Sequence, residues 1–128
     1  DRWLPPVAAV EPPADGAAAF DPAILRACLG HEPATLRSVL NEFLRLTPEQ
    51  AAELAAAAPT DAQRIAATAH KLKSAARAVG ALALGDCCEQ LERAALGADT
   101  VAVARAQSGF ASAWPSARSA IETALAAL

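Results

Sequence analysis

The spacing of apolar residues predicts helices over most of the chain. From residue 20 onward, apolar positions recur at intervals of three and four, which is the period of an amphipathic helix. The pattern predicts a short helix over 22–29 and longer helices over about 33–57, 61–79, 81–96 and 100–128. No segment of the sequence alternates with the period of a strand, and β-branched residues are sparse. The chain is therefore expected to be all-α, an antiparallel four-helix bundle with a short leading helix.

Several residues mark where these helices start, end or bend. Asp21 suits an N-cap and Pro22 the first helical position, and glycines follow the predicted ends of the first, third and fourth helices. Pro48 lies inside the second helical pattern and Pro115 inside the last. Because proline lacks a backbone donor and clashes with the preceding turn, we expect a kink or frayed turn at Pro48. At Pro115 we expect a kink or a split into two helices.

Residues 1–19 differ in character from the remainder of the chain. They hold four of the nine prolines and show no helical period. They are therefore predicted to be a proline-rich, disordered linker, with the helical bundle over residues 20–128. The chain also contains no methionine. From these two features we expect it to be part of a longer polypeptide with another domain upstream.

The composition narrows the classes of function. The formal net charge is −3, with acidic and basic residues interspersed, which argues against a nucleic-acid-binding protein. No apolar run approaches the roughly 20 residues of a membrane span. The cysteines Cys28, Cys87 and Cys88 are odd in number, so we expect reduced thiols and a cytoplasmic location. Adjacent thiols without a second ligand pair make a poor tetrahedral metal site, and Cys88 is expected in the core.

A row of polar residues accompanies the core stripe of the third helix. The stripe itself consists of Ile65, Ala69, Leu72, Ala76 and Val79. On a wheel of about 100° per residue, the polar row lies beside this stripe and faces mostly outward. The row consists of His70, Lys73, Ser74 and Arg77, and Ala66 and Ala67 one turn earlier leave the space above the imidazole open.

Two interpretations of His70 compete. An outward histidine on an arbitrary helix is most often an ordinary surface residue. A neutral imidazole also has a free ring nitrogen that can attack phosphorus without a separate base. Lys73, one turn away, would then hold the oxygens of the charged adduct. No catalytic acidic residue is expected beside His70, because its nearest neighbours in the polar row are basic. Glu89 and Glu92 are assigned to the solvent side of the fourth helix, with Glu89 paired to Arg93.

A longer string favours the second interpretation. HKLKSAARAVGALALGDCCEQLE, residues 70–92, resembles the signature of histidine-containing phosphotransfer (HPt) domains. That signature has His, a hydrophobic residue, Lys, a small residue and Gly, followed by Leu, a Cys or small residue, and Leu-Glu. The matching residues are His70, Leu72, Lys73, Ser74, Gly80, Leu84, Cys88, Leu91 and Glu92. The stretch FDPAILRACLGHEPATLRSVLNEFL also looks like the start of such domains, so the resemblance covers about residues 20–128. Ser74 departs from the glycine most common in the family, but it is still small.

The resemblance implies that His70 accepts a phosphoryl group from the phospho-aspartate of a receiver domain and passes it to a second receiver. Lys73 would stabilise the phosphoryl group, and the partner would contact Ala66, Ala67, Ser74 and Arg77. The domain would be a phosphocarrier rather than an enzyme and would need no metal or other cofactor, because Mg²⁺ binds to the partner receiver. No nucleic acid and no direct membrane contact are expected, and a polar outer face favours a monomer.

The resemblance also suggests a parent protein. The proline-rich leader favours the C-terminal module of a hybrid sensor histidine kinase, whose own receiver would lie upstream and which can be anchored in the inner membrane. A hypothesis of a different class is a phosphorylation-independent adaptor that binds a receiver or another regulator through the same face. If His70→Ala left partner signalling unchanged, the adaptor hypothesis would be preferred.

Overall fold

Five helices form the part of the chain that the structure describes. The computed structural model describes residues 18–128, so the predicted linker lies outside the described residues except for Ala18 and Ala19. The helices are α1 (Pro22–Leu29), α2 (Pro33–Ala56), α3 (Ala62–Val79), α4 (Leu82–Leu96) and α5 (Thr100–Ala127). The described part of the chain contains no strand. The all-α fold predicted from the sequence is confirmed.

The four longer helices form a closed bundle. Each packs against its neighbours in the order α2, α3, α4 and α5, and α5 returns to contact α2. The connections are short, so successive helices run antiparallel. The leading helix α1 lies against α2 and α3. Small residues on the facing helices allow this close arrangement. At Gly85 of α4, for example, an added Cβ would lie only 2.8 Å from Cγ of Arg77 on α3.

The core follows the predicted stripes. The most deeply buried positions of α3 and α4 are at most 6% exposed, and they are Ile65, Ala69, Leu72, Ala76, Val79, Leu84, Cys88, Leu91 and Ala95. These two helices share the largest interface in the bundle. Because the stripe of α3 is buried, its polar row is held at the edge of the α3–α4 interface.

Gly80 joins α3, α4 and α1 at one point. It has a φ of +95° and closes α3 in the left-handed conformation that favours glycine. The Ala81 amide donates to the carbonyl of Ala76 at 2.8 Å, and the Asp21 amide donates to the carbonyl of Gly80 at 2.8 Å. A Cβ at residue 80 would overlap the carbonyl oxygen of Asp21. Glycine is therefore required here both by the backbone angle and by the approach of α1.

Of the two outcomes expected at Pro115, a kink or a split, the split does not occur, because α5 continues through the proline as one helix of 28 residues. Phe110 and Ala117, on either side of the proline, are both 1% exposed. Trp114 also packs edge-on against Phe43 of α2, with ring centroids 6.3 Å apart. Burial on both sides of Pro115 keeps both halves of α5 packed on the core and outweighs the one backbone hydrogen bond that proline removes.

Candidate functional site

His70 lies in the middle of α3 with its ring largely in solvent. Its side chain is 62% exposed, and Nδ1 lies 2.9 Å from Oε2 of Glu92 on α4. The contact joins residues 22 positions apart and forms because α4 runs antiparallel beside α3. Within the described residues Nε2 has no hydrogen-bond partner. The ring is therefore fixed through one nitrogen and open at the other.

Glu92 connects the histidine to Lys73. Its Oε1 accepts a hydrogen bond from Lys73 Nζ at 2.7 Å, and both side chains are mostly shielded, at 16% and 18% exposed. The hydrogen bond from Lys73 is the main cause that lowers the pKa of Glu92, and the contact with His70 adds to it, against the opposing effect of burial. The carboxylate is therefore ionised at neutral pH and carries a fixed negative charge beside the ring.

The sequence-based expectation for Glu92 is wrong. It predicted this residue on the solvent side of α4 and no catalytic acidic residue beside His70. The carboxylate instead lies at the α3–α4 interface, because Glu92 follows the buried Leu91 and so lies at the border of the buried face of α4. The Leu-Glu pair of the quoted signature was the signal that could have indicated a role for Glu92 at the site. The register between two helices, which decides the contact, cannot be obtained from the period of either one.

The geometry gives the imidazole a defined chemistry. A carboxylate only accepts hydrogen bonds, so the proton of a neutral ring is held on Nδ1, where it is donated to Glu92. Nε2 then carries the free lone pair and faces the exposed side. This is the arrangement of a nucleophile whose ring is oriented by a carboxylate, and any positive charge that develops on the ring would be stabilised by Glu92.

The small residues around the ring differ in exposure. Ala67 and Ser74 are exposed, and Ser74 Oγ donates to the carbonyl of His70 at 3.3 Å, which keeps its side chain close to the helix. Ala66 is only 7% exposed. It lies seven residues before Lys73, hence on the same side of α3, and that side faces α4. Ala66 therefore offers less surface than the helical wheel indicated, and the roles of these residues in binding stay predictions.

Arg77 is held by two acidic residues of α4. Its guanidinium donates to Glu89 at 2.7 Å and to Asp86 at 3.3 Å, and the hydrogen bond to Glu89 is the main cause that raises the pKa of Arg77. Glu89 also binds Arg93 at 2.8 Å, which confirms the predicted pair one turn apart. Arg77 thus links α3 to α4, and its role in partner binding stays a prediction.

The remaining candidate residues make no hydrogen bond to His70, Lys73 or Glu92. His31 is exposed in the connection between α1 and α2. All three cysteines are free; Cys88 is completely buried, and burial raises its pKa to about 12. Over residues 18–128, no group of three or more His, Cys, Asp and Glu side chains is arranged to hold a metal ion. In the same part of the chain, no helix combines the length and apolarity needed to cross a membrane.

Comparison with known proteins identifies the family. No curated protein and no solved structure gives a significant match to the chain. The profile of the Hpt domain family matches residues 38–128, which begins within α2 and includes all of α3, α4 and α5. The matched region contains His70, Lys73 and Glu92, the three side chains that form the hydrogen-bonded site. Since the match covers most of the chain, the protein belongs to the Hpt domain family, whose members carry phosphoryl groups on histidine in phosphorelays and interact with receiver domains.

Proposed function

We propose that His70 is the phosphorylated residue of this Hpt domain, and that it takes the phosphoryl group from the aspartate of one receiver and gives it to the aspartate of another. The observation that carries this proposal is the 2.9 Å contact between His70 Nδ1 and Glu92 on a ring that is 62% exposed. The contact leaves Nε2 as the nitrogen that a partner's acyl phosphate can reach.

The transfer forms a bond between Nε2 and phosphorus. The P–O bond to the receiver's aspartate breaks, and its electron pair leaves with the aspartate carboxylate. The proton on Nδ1 stays in place, so the ring gains positive charge while it is phosphorylated. Glu92 accepts the hydrogen bond from that proton and, with its lowered pKa, remains negatively charged to stabilise the ring. The second transfer reverses these changes with a different receiver.

Lys73 supports the adduct in this proposal. One of its three N–H groups binds Glu92 Oε1, and two are left that can bind phosphoryl oxygens. Glu92 lies between the other two side chains, with one carboxylate oxygen bound to His70 and the other to Lys73. We assign Mg²⁺ and most of the transition-state stabilisation to the receiver. In this proposal the domain itself supplies the nucleophile, its orientation and a docking face.

Phosphoryl transfer from a labelled receiver tests the proposal. The chain is mixed with a set of phosphorylated receiver domains, and the label on wild type is compared with that on His70→Gln. The matched control is His31→Gln, which removes the other histidine from an exposed connection. We expect acid-labile, base-stable label on wild type and His31→Gln and none on His70→Gln. Equal label on all three proteins would exclude His70, and no label from any receiver would favour the adaptor.

A further inference from the structure

An apolar groove lies at the end of the bundle where α1, the start of α2 and the end of α5 meet. It has a volume of about 250 Å³, and most of its lining is apolar: Phe20, Leu25, Leu36, Leu40, Ala124 and Leu128. The three leucines of α1 and α2 are at most 3% exposed and form its floor, while Phe20 and Leu128 are half-buried at its sides. A cavity of about 150 Å³ already takes up benzene, so this groove has room for one large aromatic side chain.

The chain enters the bundle at the same end. The Ala83 amide, at the start of α4, donates to the carbonyl of Ala18 at 2.9 Å, and the Asp21 amide donates to the carbonyl of Gly80 at 2.8 Å. Two positions after Ala18, Phe20 already lines the groove. The segment that precedes Ala18, residues 1–17, is therefore joined to the bundle next to the groove.

The sequence of residues 1–17 contains one apolar pair of the size that the groove accepts. Trp3 and Leu4 are its largest apolar side chains, since the others are those of valine, alanine and proline. Pro5 and Pro6 follow this pair directly. Because proline fixes the backbone, less conformational entropy is lost when such a segment binds.

The connecting residues are long enough for the pair to reach the groove. Trp3 and Ala18 are 15 positions apart, and a chain of that length spans at most about 50 Å when it is extended. Since the groove begins two positions beyond Ala18, the connection has more than enough length. A short tether of this kind gives an effective concentration in the millimolar range, so even a weak contact is occupied.

The charges of the segment and of the groove are complementary. Residues 1–17 contain three acidic residues and one arginine, and Glu11 and Asp15 lie between the apolar pair and Ala18. Arg26 lines the groove and is exposed. Arg37, also exposed, donates to the carbonyl of Leu128 at 3.0 Å. The acidic connection would therefore pass basic side chains at the border of the groove.

A second groove, between α2 and α5, fits the pair less well. It has a volume of about 300 Å³ and is lined mainly by small residues and by Trp114. Ala51, on its α2 side, lies 15 positions after Leu36 and hence about 22 Å further along the helix, where the effective concentration of the tethered pair is lower. Its basic residue, Arg118, binds Glu122 at 3.5 Å.

We propose that Trp3 and Leu4 dock into the groove formed by α1, α2 and α5 of their own chain. The contact covers the apolar floor and holds the N-terminal segment at the end of the bundle near Gly80. His70 lies ten residues before Gly80, about 15 Å away along α3, so the docked segment leaves the imidazole open. The proposal is thus independent of the phosphotransfer proposed for His70.

Fluorine NMR of the full chain with 5-fluorotryptophan tests the proposal. The chain has two tryptophans, and Trp3→Phe assigns their resonances. A soluble paramagnetic agent broadens the resonance of an exposed ring. Ala124→Leu adds apolar atoms inside the groove, and Ala111→Leu is the matched control, because it makes the same change on α5 in the second groove. The Trp114 resonance reports whether the bundle is intact in each variant.

A contact with an affinity of about 1 mM is occupied most of the time at an effective concentration of a few millimolar. We therefore expect the Trp3 resonance to broaden about threefold more slowly in wild type and Ala111→Leu than in Ala124→Leu or in the urea-unfolded chain. Because the contact is intramolecular, this protection should stay constant over an about tenfold range of protein concentration.

Three results would overturn the proposal. Equal broadening of the Trp3 resonance in the folded and the urea-unfolded chain would show that the pair does not dock. Loss of protection in Ala111→Leu, but not in Ala124→Leu, would assign the pair to the second groove. Protection that increases with protein concentration would assign the groove to the N-terminal segment of a second copy.

Discussion

Replacing Glu92 with glutamine tests the central claim about the site. Glutamine keeps the shape of the side chain and an oxygen that can accept from Nδ1, but it removes the negative charge. A hydrogen bond to a charged group contributes about 1.5–3 kcal/mol and a neutral one about 0.5–1.5 kcal/mol. The 62% exposure of His70 favours the lower part of this difference, about 1 kcal/mol. Since positive charge develops on the ring during transfer, we expect Glu92→Gln to slow phosphorylation about fivefold.

The assay is the rate of phosphoryl transfer from a saturating, phosphorylated receiver, with Glu89→Gln as the matched control. Glu89 lies one turn before Glu92 on α4 and binds Arg77 and Arg93, so its variant removes one carboxylate from the same helix interface without touching His70. A wild-type rate in Glu92→Gln, or an equal loss in Glu89→Gln, would refute the idea that the Glu92 charge assists the ring.

The same variant has a pH signature in stability. Because the pKa of Glu92 is lowered in the folded state, chiefly by the hydrogen bond from Lys73, its ionised form stabilises the fold. This stabilisation is fully present above the ordinary range of a glutamate carboxyl and is lost as the pH falls through the lowered value. The difference in unfolding free energy between wild type and Glu92→Gln should be about 1 kcal/mol at pH 7 and should vanish in acid. A difference that is independent of pH would contradict this assignment of the charge.

Three further predictions concern the fold. Gly80→Ala should lower the unfolding free energy by about 2 kcal/mol in urea titrations, because residue 80 has a φ of +95°. Gly109→Ala, in the open middle of α5, should instead raise the unfolding free energy by about 0.5–1 kcal/mol. Equal effects of the two variants would contradict the backbone role assigned to Gly80. Gln107→Ala should destabilise by about 1–2 kcal/mol in the same titrations, since its amide donates to two carbonyls at the end of α2, at 2.9 and 2.8 Å. In mass-spectrometric alkylation at pH 8, exposed Cys28 should react readily and Cys88, with a pKa of about 12, only after unfolding.

The helices and their buried faces were predictable because they depend on local rules. The apolar period placed Leu72 and Leu91 in the core, and both are completely buried. The cap at Asp21 is also as expected, with its side chain accepting from the Ala23 amide at 3.0 Å. The split offered as one outcome at Pro115 does not occur, because whether a proline interrupts a helix depends on the packing on both sides of it.

The candidate site also has one part that follows from local rules and another that depends on tertiary packing. The sequence by itself determined the outward position of His70, since the direction of a side chain on a helix follows from its distance to the core stripe. Only the tertiary structure decided what surrounds the ring. It brought Glu92, 22 residues away, to Nδ1, bound Lys73 to the same carboxylate, and left Ala66 only 7% exposed. These contacts depend on the register and side on which α4 packs against α3, and that arrangement is fixed by the combined packing of all four long helices.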